Sequence, residues 1–182
     1  MRSTRLTAAG AITAAVVLGL TGTATAHGGG GGDGDVETIR IQDDCDPTTF
    51  AGVPGGCVGD GDTTFDELVE ELIEDGEHGK WRFHPDETHI DHDEALHARN
   101  QGGEFHTFTM VDEFGPGCVP EINELLGLGD EPVPAICTTP GFFAELIPPG
   151  ATVEVGDLAP GVYRFLCLIH PWMTSTVEVR HD

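Results

Sequence analysis

Apolar positions along this chain repeat with two different periods, and the change from one to the other divides it. Val36 to Ile41 alternates well enough for a short strand. Phe65, Leu68, Val69, Leu72 and Ile73 then fall at three- and four-residue spacing, which predicts a helix over Thr63 to Asp75. Asp62 or Thr63 is placed to cap it, and Asp66 and Glu67 suit the positive end of its dipole. From Trp81 onward the period is two. Trp81 and Phe83 flank Arg82, while Ile90, Leu96, Ala98 and Asn100 share a parity, as two strands meeting in a hairpin near Asp93 and Glu94 require. Phe105 to Val111 reads as a further strand after the Gln101-Gly102-Gly103 turn. Ala151, Val153 and Val155 alternate; Tyr163, Phe165 and Cys167 share a face; Val177 and Val179 close the series. Short strands separated by Gly and Pro turns predict an all-β antiparallel sandwich or barrel, preceded by an extension containing one helix.

Three stretches fall outside both periods. Arg2 and Arg5, the apolar run Ala8 to Leu20 and the small residues Ala24-Thr25-Ala26 make an export signal over residues 1–26. Residues 27–79 hold a glycine-rich tail, an irregular loop over Asp44 to Asp62 and the helix, and 80–182 form the β-domain. Asp112 to Gly150 is a long Pro- and Gly-rich connection, with short helices expected at Pro120 to Leu126 and Pro140 to Leu146.

The formal net charge is −24 at pH 7, and two of the eight basic residues lie in the leader. Nucleic acid and anionic membranes are poor partners for such a surface, because both need a basic patch. The acidity fits a solvated exported surface, or steering of a basic redox partner.

Five cysteines in an exported chain leave one unpaired. Cys45 with Cys57 and Cys118 with Cys137 is the simplest of the three pairings open to four cysteines, and an oxidising compartment sustains it. Cys167 remains, and a thiol that survives oxidation is best explained by a metal that holds it as thiolate.

The surroundings of Cys167 support that reading. In Cys167-Leu168-Ile169-His170-Pro171-Trp172-Met173, a thiolate, an imidazole and a thioether follow one another with two residues between each. Two histidines, one cysteine and a weak methionine make the trigonal site of blue-copper proteins. Structural zinc calls for more thiolates and no methionine. An ordinary turn carrying a buried free cysteine is the plainer alternative. The missing histidine must come from His84, His89, His92, His97 or His106. His89, Asp91 and His97 would meet on the outer face of the expected hairpin as a second metal site, and cleavage after Ala26 would make His27 an amine-imidazole chelator. Solvated surface histidines and a mobile tail are the plainer readings of each.

The segments Asn100-Gln101-Gly102-Gly103-Glu104-Phe105-His106-Thr107-Phe108-Thr109, Gly161 to Cys167 and His170-Pro171-Trp172-Met173 together resemble the cupredoxin family, with loop spacing similar to that of amicyanin. The resemblance covers about Lys80 to Asp182. It implies a Greek-key β-sandwich with one type 1 copper at a pole, held by His106, Cys167, His170 and Met173. The Thr107 N–H is implied as a neighbour of the sulfur. Plastocyanin-like members carry asparagine at the Thr107 position, so the shorter side chain predicts a weaker brace for the ligand loop. One-electron transfer rather than catalysis follows, in a periplasmic or extracellular monomer. Its redox protein partner would dock near His170, Pro171 and Trp172, on an apolar patch shared with Ile169. Copper carriage or storage is the alternative; a copper oxidoreductase would need oligomerisation to gain further centres.

Overall fold

The computed structural model describes residues 36–181. The export signal, His27 and the glycine tract lie outside the described residues. Eight strands form two four-stranded sheets: β1 (Val36–Gln42), β2 (Arg82–His84), β3 (Glu87–Asp91), β4 (Ala95–Asn100), β5 (Thr109–Val111), β6 (Thr152–Val155), β7 (Gly161–Leu166) and β8 (Thr174–Arg180). One sheet has the order β2-β1-β4-β6 and the other β3-β8-β7-β5. The sandwich is all-β, as expected, but each sheet is mixed. β1 runs parallel to β4 and β3 parallel to β8, and every other pairing is antiparallel. Parallel neighbours need a crossover; here the chain visits the opposite sheet between the two members of each parallel pair.

Period-two burial builds the interior. Ile39 and Ile41 of β1, Leu96 and Ala98 of β4, Ile90 of β3, and Val177 and Val179 of β8 are all buried in one cluster. Phe108 stacks on Phe165 at 4.2 Å between centroids and meets Phe83 edge-on at 5.0 Å, which ties the sheets together. Phe50, Leu68, Leu72 and Trp81 belong to the same cluster. The division expected at residues 79/80 therefore runs through a shared core, with β1 seated between β2 and β4.

The helix α1 spans Phe65–Asp75. Its cap is Thr64 rather than Asp62 or Thr63, in a capping box: the Thr64 hydroxyl accepts from the Glu67 N–H, and the Glu67 carboxylate accepts from the Thr64 N–H. Thr63 is taken up instead by a bridge to Cys45. Gly76 ends the helix in the left-handed conformation at φ 76°.

Two local expectations change. β3 and β4 do not form a hairpin, because they lie in opposite sheets. Residues that face the interior from either sheet share the same parity, so the pattern alone does not separate a hairpin from a crossing. Of the strand expected over Phe105 to Val111, only Thr109–Val111 pairs with β7. His106 instead makes an isolated bridge to Ile147, and the Asn100 side-chain amide donates to the carbonyls of Glu104 and Ile147, both at 2.8 Å. That amide satisfies carbonyls a ladder would otherwise occupy.

The long connection contains α2 (Pro120–Leu125) and short 3-10 turns at Ala135–Thr138 and Pro140–Ala144. Both disulfides pair neighbours in sequence, Cys45 with Cys57 and Cys118 with Cys137, and Cys167 is free and buried. No helix among the described residues is long and apolar enough to cross a membrane.

Candidate metal centre

Cys167 follows directly on β7, and Met173 directly precedes β8, so the ligand loop is the connection between two paired strands. Two backbone bonds close it. The Cys167 N–H donates to the Met173 carbonyl at 3.0 Å, and the Met173 N–H to the His170 carbonyl at 2.8 Å. The even spacing of the three donors thus belongs to one tight turn. The loop's outer side rests on the long connection: the Cys118 N–H donates to the Leu168 carbonyl, and a Cβ on Gly117 would collide with the same group. Asn123 fixes Gly117 through both its N–H and its carbonyl.

The structure brings His106, Cys167 and His170 together. Cys167 Sγ lies 3.8 Å from His106 Nδ1 and 3.8 Å from His170 Nδ1, and the two nitrogens are 3.2 Å apart. Metal bonds of about 2.0–2.1 Å to nitrogen and about 2.3 Å to sulfur, the zinc values, sum to more than each of these edges. One ion therefore reaches all three donors. Met173, 1% exposed, is buried in the same hydrophobic cluster as Cys167, and its backbone bonds to both Cys167 and His170. Thiolate, two imidazoles and a thioether suit copper.

Electrostatics shift the two donors in opposite directions and pair a thiolate with a protonated ring in the metal-free site. Burial opposes a charged Cys167, yet the neighbouring imidazoles of His106 and His170 outweigh it and hold the thiol well below its usual value. The Thr107 N–H, as the resemblance implied, points at the sulfur from 3.4 Å. Burial likewise opposes protonation of His106, but the Asp43 carboxylate and the Cys167 sulfur carry it up to about 9.

Asp43 and Glu104 stand behind the rings, and neither was identified from the sequence. Asp43 Oδ2 lies 2.8 Å from His106 Nε2. Burial pushes this carboxyl up, but hydrogen bonding and charge from His106, with the N–H groups of Gly103 and Glu104, bring it down to about 2. Glu104 accepts the Trp81 indole N–H at 2.7 Å and lies 3.7 Å from His170 Nε2. Burial pushes the Glu104 carboxyl up, against the pull of His170 and Trp81.

The other candidate histidines are dispersed. His89 pairs with Glu178 and His97 with Glu154 in different sheets, so they do not converge on the second site expected of a hairpin. The docking patch also differs from expectation. His170 is only 4% exposed and Pro171 is buried; Ile169 and Trp172 alone keep part of their surface. An apolar pocket of about 140 Å³ reaches His170, lined by Phe50, Val53 and Phe65 of the extension and by Val119 and Ile122 of the long connection. The extension and the long connection therefore cover the metal pole.

No family model matches the chain, and no curated protein matches it. Among solved structures it is similar to a purple cupredoxin from Nitrosopumilus maritimus, at 16% identity over 79% of this chain and 98% of that one, with a TM-score of 0.42. It is similar to plastocyanin from Dryopteris crassirhizoma, at 17% identity over 79% and 100%, with a TM-score of 0.40. A third similarity, to a copper-containing nitrite reductase from Thermus scotoductus, has 20% identity and a TM-score of 0.36; it covers 56% of this chain and 20% of that one.

Proposed function

We propose that the protein is an exported type 1 copper protein that carries single electrons between redox partners. In this reading His106, Cys167 and His170 would be the strong donors and Met173 the weak fourth one. The observation that carries it is the buried triangle of one sulfur and two Nδ1 atoms with edges of 3.8, 3.8 and 3.2 Å. Copper bound there supplies a one-electron Cu(II)/Cu(I) couple. The closed loop holds Cys167 and Met173 at a fixed separation, and complete burial keeps water from the Cys167 sulfur. Both restraints limit rearrangement between oxidation states. Four protein donors leave no open position for a substrate, which supports transfer over catalysis. The leader at 1–26 and two disulfides among the described residues support export.

Adding Cu(II) to the purified protein and to Cys167→Ser tests the reading. The parent is expected to bind one copper per chain and develop an intense visible thiolate-to-copper band, and the variant to show none. A parent without the band overturns it.

The partner, a redox protein, is placed at the metal pole where Ile169 and Trp172 retain exposure. Trp172 stands edge-on to His170 with centroids 5.2 Å apart. Trp172→Glu is expected to slow electron exchange while preserving the copper band; an unchanged rate sinks this placement.

A further inference from the structure

We propose that Asp43 is a positioning residue for His106: its carboxylate fixes the ring's proton on Nε2, aims Nδ1 at the metal position and lowers the site's reduction potential. This deepens the copper reading and, for the potential, rests on it.

Asp43 follows immediately on β1, far from the ligand loop in sequence, yet its side chain is 1% exposed and His106 is fully buried. Three backbone donors hold the carboxylate independently of the histidine. Gly103 N–H and Cys45 N–H donate to Oδ1 at 2.9 and 3.3 Å, and Glu104 N–H donates to Oδ2 at 3.1 Å. The remaining direction at Oδ2 faces His106 Nε2 at 2.8 Å. A carboxylate only accepts, so Nε2 must carry the proton. With that proton fixed on Nε2, Nδ1 is the nitrogen turned toward Cys167 and His170, and it is the one that gives up its proton when a metal takes its lone pair.

The cradle is specific to the Gly-Gly turn. A Cβ at Gly102 would run into the Asp43 carboxylate, and one at Gly103 would lie 2.5 Å from the Gly59 nitrogen and 2.7 Å from Cys45 Sγ. Residues before the β-domain and residues of the β-domain thus close around one buried anion. Its charge acts through a dry interior, where it is weakly screened. It stabilises the more positive oxidation state of an ion on the other side of the ring. Carboxylates behind histidine ligands commonly support metal affinity in this way.

The test has a metal-free arm and a copper arm. In the metal-free parent, nitrogen-resolved NMR is expected to show a slowly exchanging proton on His106 Nε2. An unprotonated Nε2 overturns the assignment without any variant, so a variant that fails to fold does not decide the matter. In copper-loaded Asp43→Asn, the visible band is expected to persist, Cu(II) affinity to fall about 10–100-fold, and the midpoint potential to rise. A persistent band with unchanged affinity and potential overturns the tuning role. Absence of the band from the parent would instead strike the copper reading, leaving the NMR arm to judge Asp43.

Discussion

Thr107 Oγ1 accepts the Leu168 backbone N–H at 2.8 Å, so a buried hydroxyl two residues ahead of β5 anchors the residue that follows the thiolate. The same hydroxyl lies 3.4 Å from the Leu166 carbonyl, and it therefore spans Cys167 from both sides. A weaker brace was expected from a side chain shorter than asparagine. The structure brings the two segments close enough for threonine to reach, and Thr107 is fully buried. Thr107→Val keeps the shape but strands a buried donor. A loss of about 1–3 kcal/mol is expected in denaturant unfolding of the metal-free protein, with Thr107→Ser retaining most of the stability. Equal stability of the valine variant and the parent would show the bond to be dispensable.

Phe50 ties the extension to the metal pole. It is 1% exposed, stacks on Trp81 at 5.9 Å and meets Phe65 edge-on at 5.5 Å. Phe50→Ala is expected to cost about 3–5 kcal/mol, the range for removing a buried aromatic ring. Because Phe50 also lines the pocket that reaches His170, copper removal by a chelator should accelerate. Destabilisation without faster copper loss would separate the packing role from the shielding one.

Local pattern carried most of the frame. The alternations at Ile39 and Ile41 and at Val177 and Val179 mark buried strand faces, and three of the proposed ligands lie within one seven-residue loop where spacing alone exposes them. Long-range partners were not legible. Asp43 is one of 32 acidic residues, and nothing near it in sequence signals that it ends beneath His106. The Gly102-Gly103 turn was visible, but not that its backbone N–H groups wrap a carboxylate from another element. The apolar stripe of α1 was likewise broader than its buried seam: Leu68 and Leu72 are buried while Ile73 is 63% exposed. Periodicity reports which face turns inward, not how far a neighbouring element extends over it.

Gly103 packs tightly between the two halves of the cradle. With a Cβ there directed at backbone and at the Cys45–Cys57 disulfide, no flexible side chain is available to move aside. Gly103→Ala is expected to destabilise the fold by about 1–3 kcal/mol, as overpacking does. Thermal unfolding of the variant beside the parent measures it, and an unaltered midpoint would mean that the backbone at Gly59 yields freely.

His78 gives the fold a pH dependence away from the metal centre. It is 5% exposed; Nδ1 accepts the Lys80 N–H at 3.2 Å, and Nε2 faces the Glu71 carboxylate at 3.0 Å. Both contacts are satisfied by the neutral ring protonated on Nε2, whereas a second proton on Nδ1 would displace the Lys80 bond. Burial holds this histidine below its usual value, with Glu71 pulling upward and Lys80 pushing further down. In the unfolded chain the ring protonates near its ordinary value of about 6.5. Between that value and the lower folded one the unfolded state binds the extra proton, so stability falls as pH falls through this window and levels off beneath it. Thermal midpoints from about pH 7.5 to about pH 5 should therefore drop more steeply for the parent than for His78→Gln, which has no proton to gain. Parallel profiles for the two proteins would remove His78 as the cause.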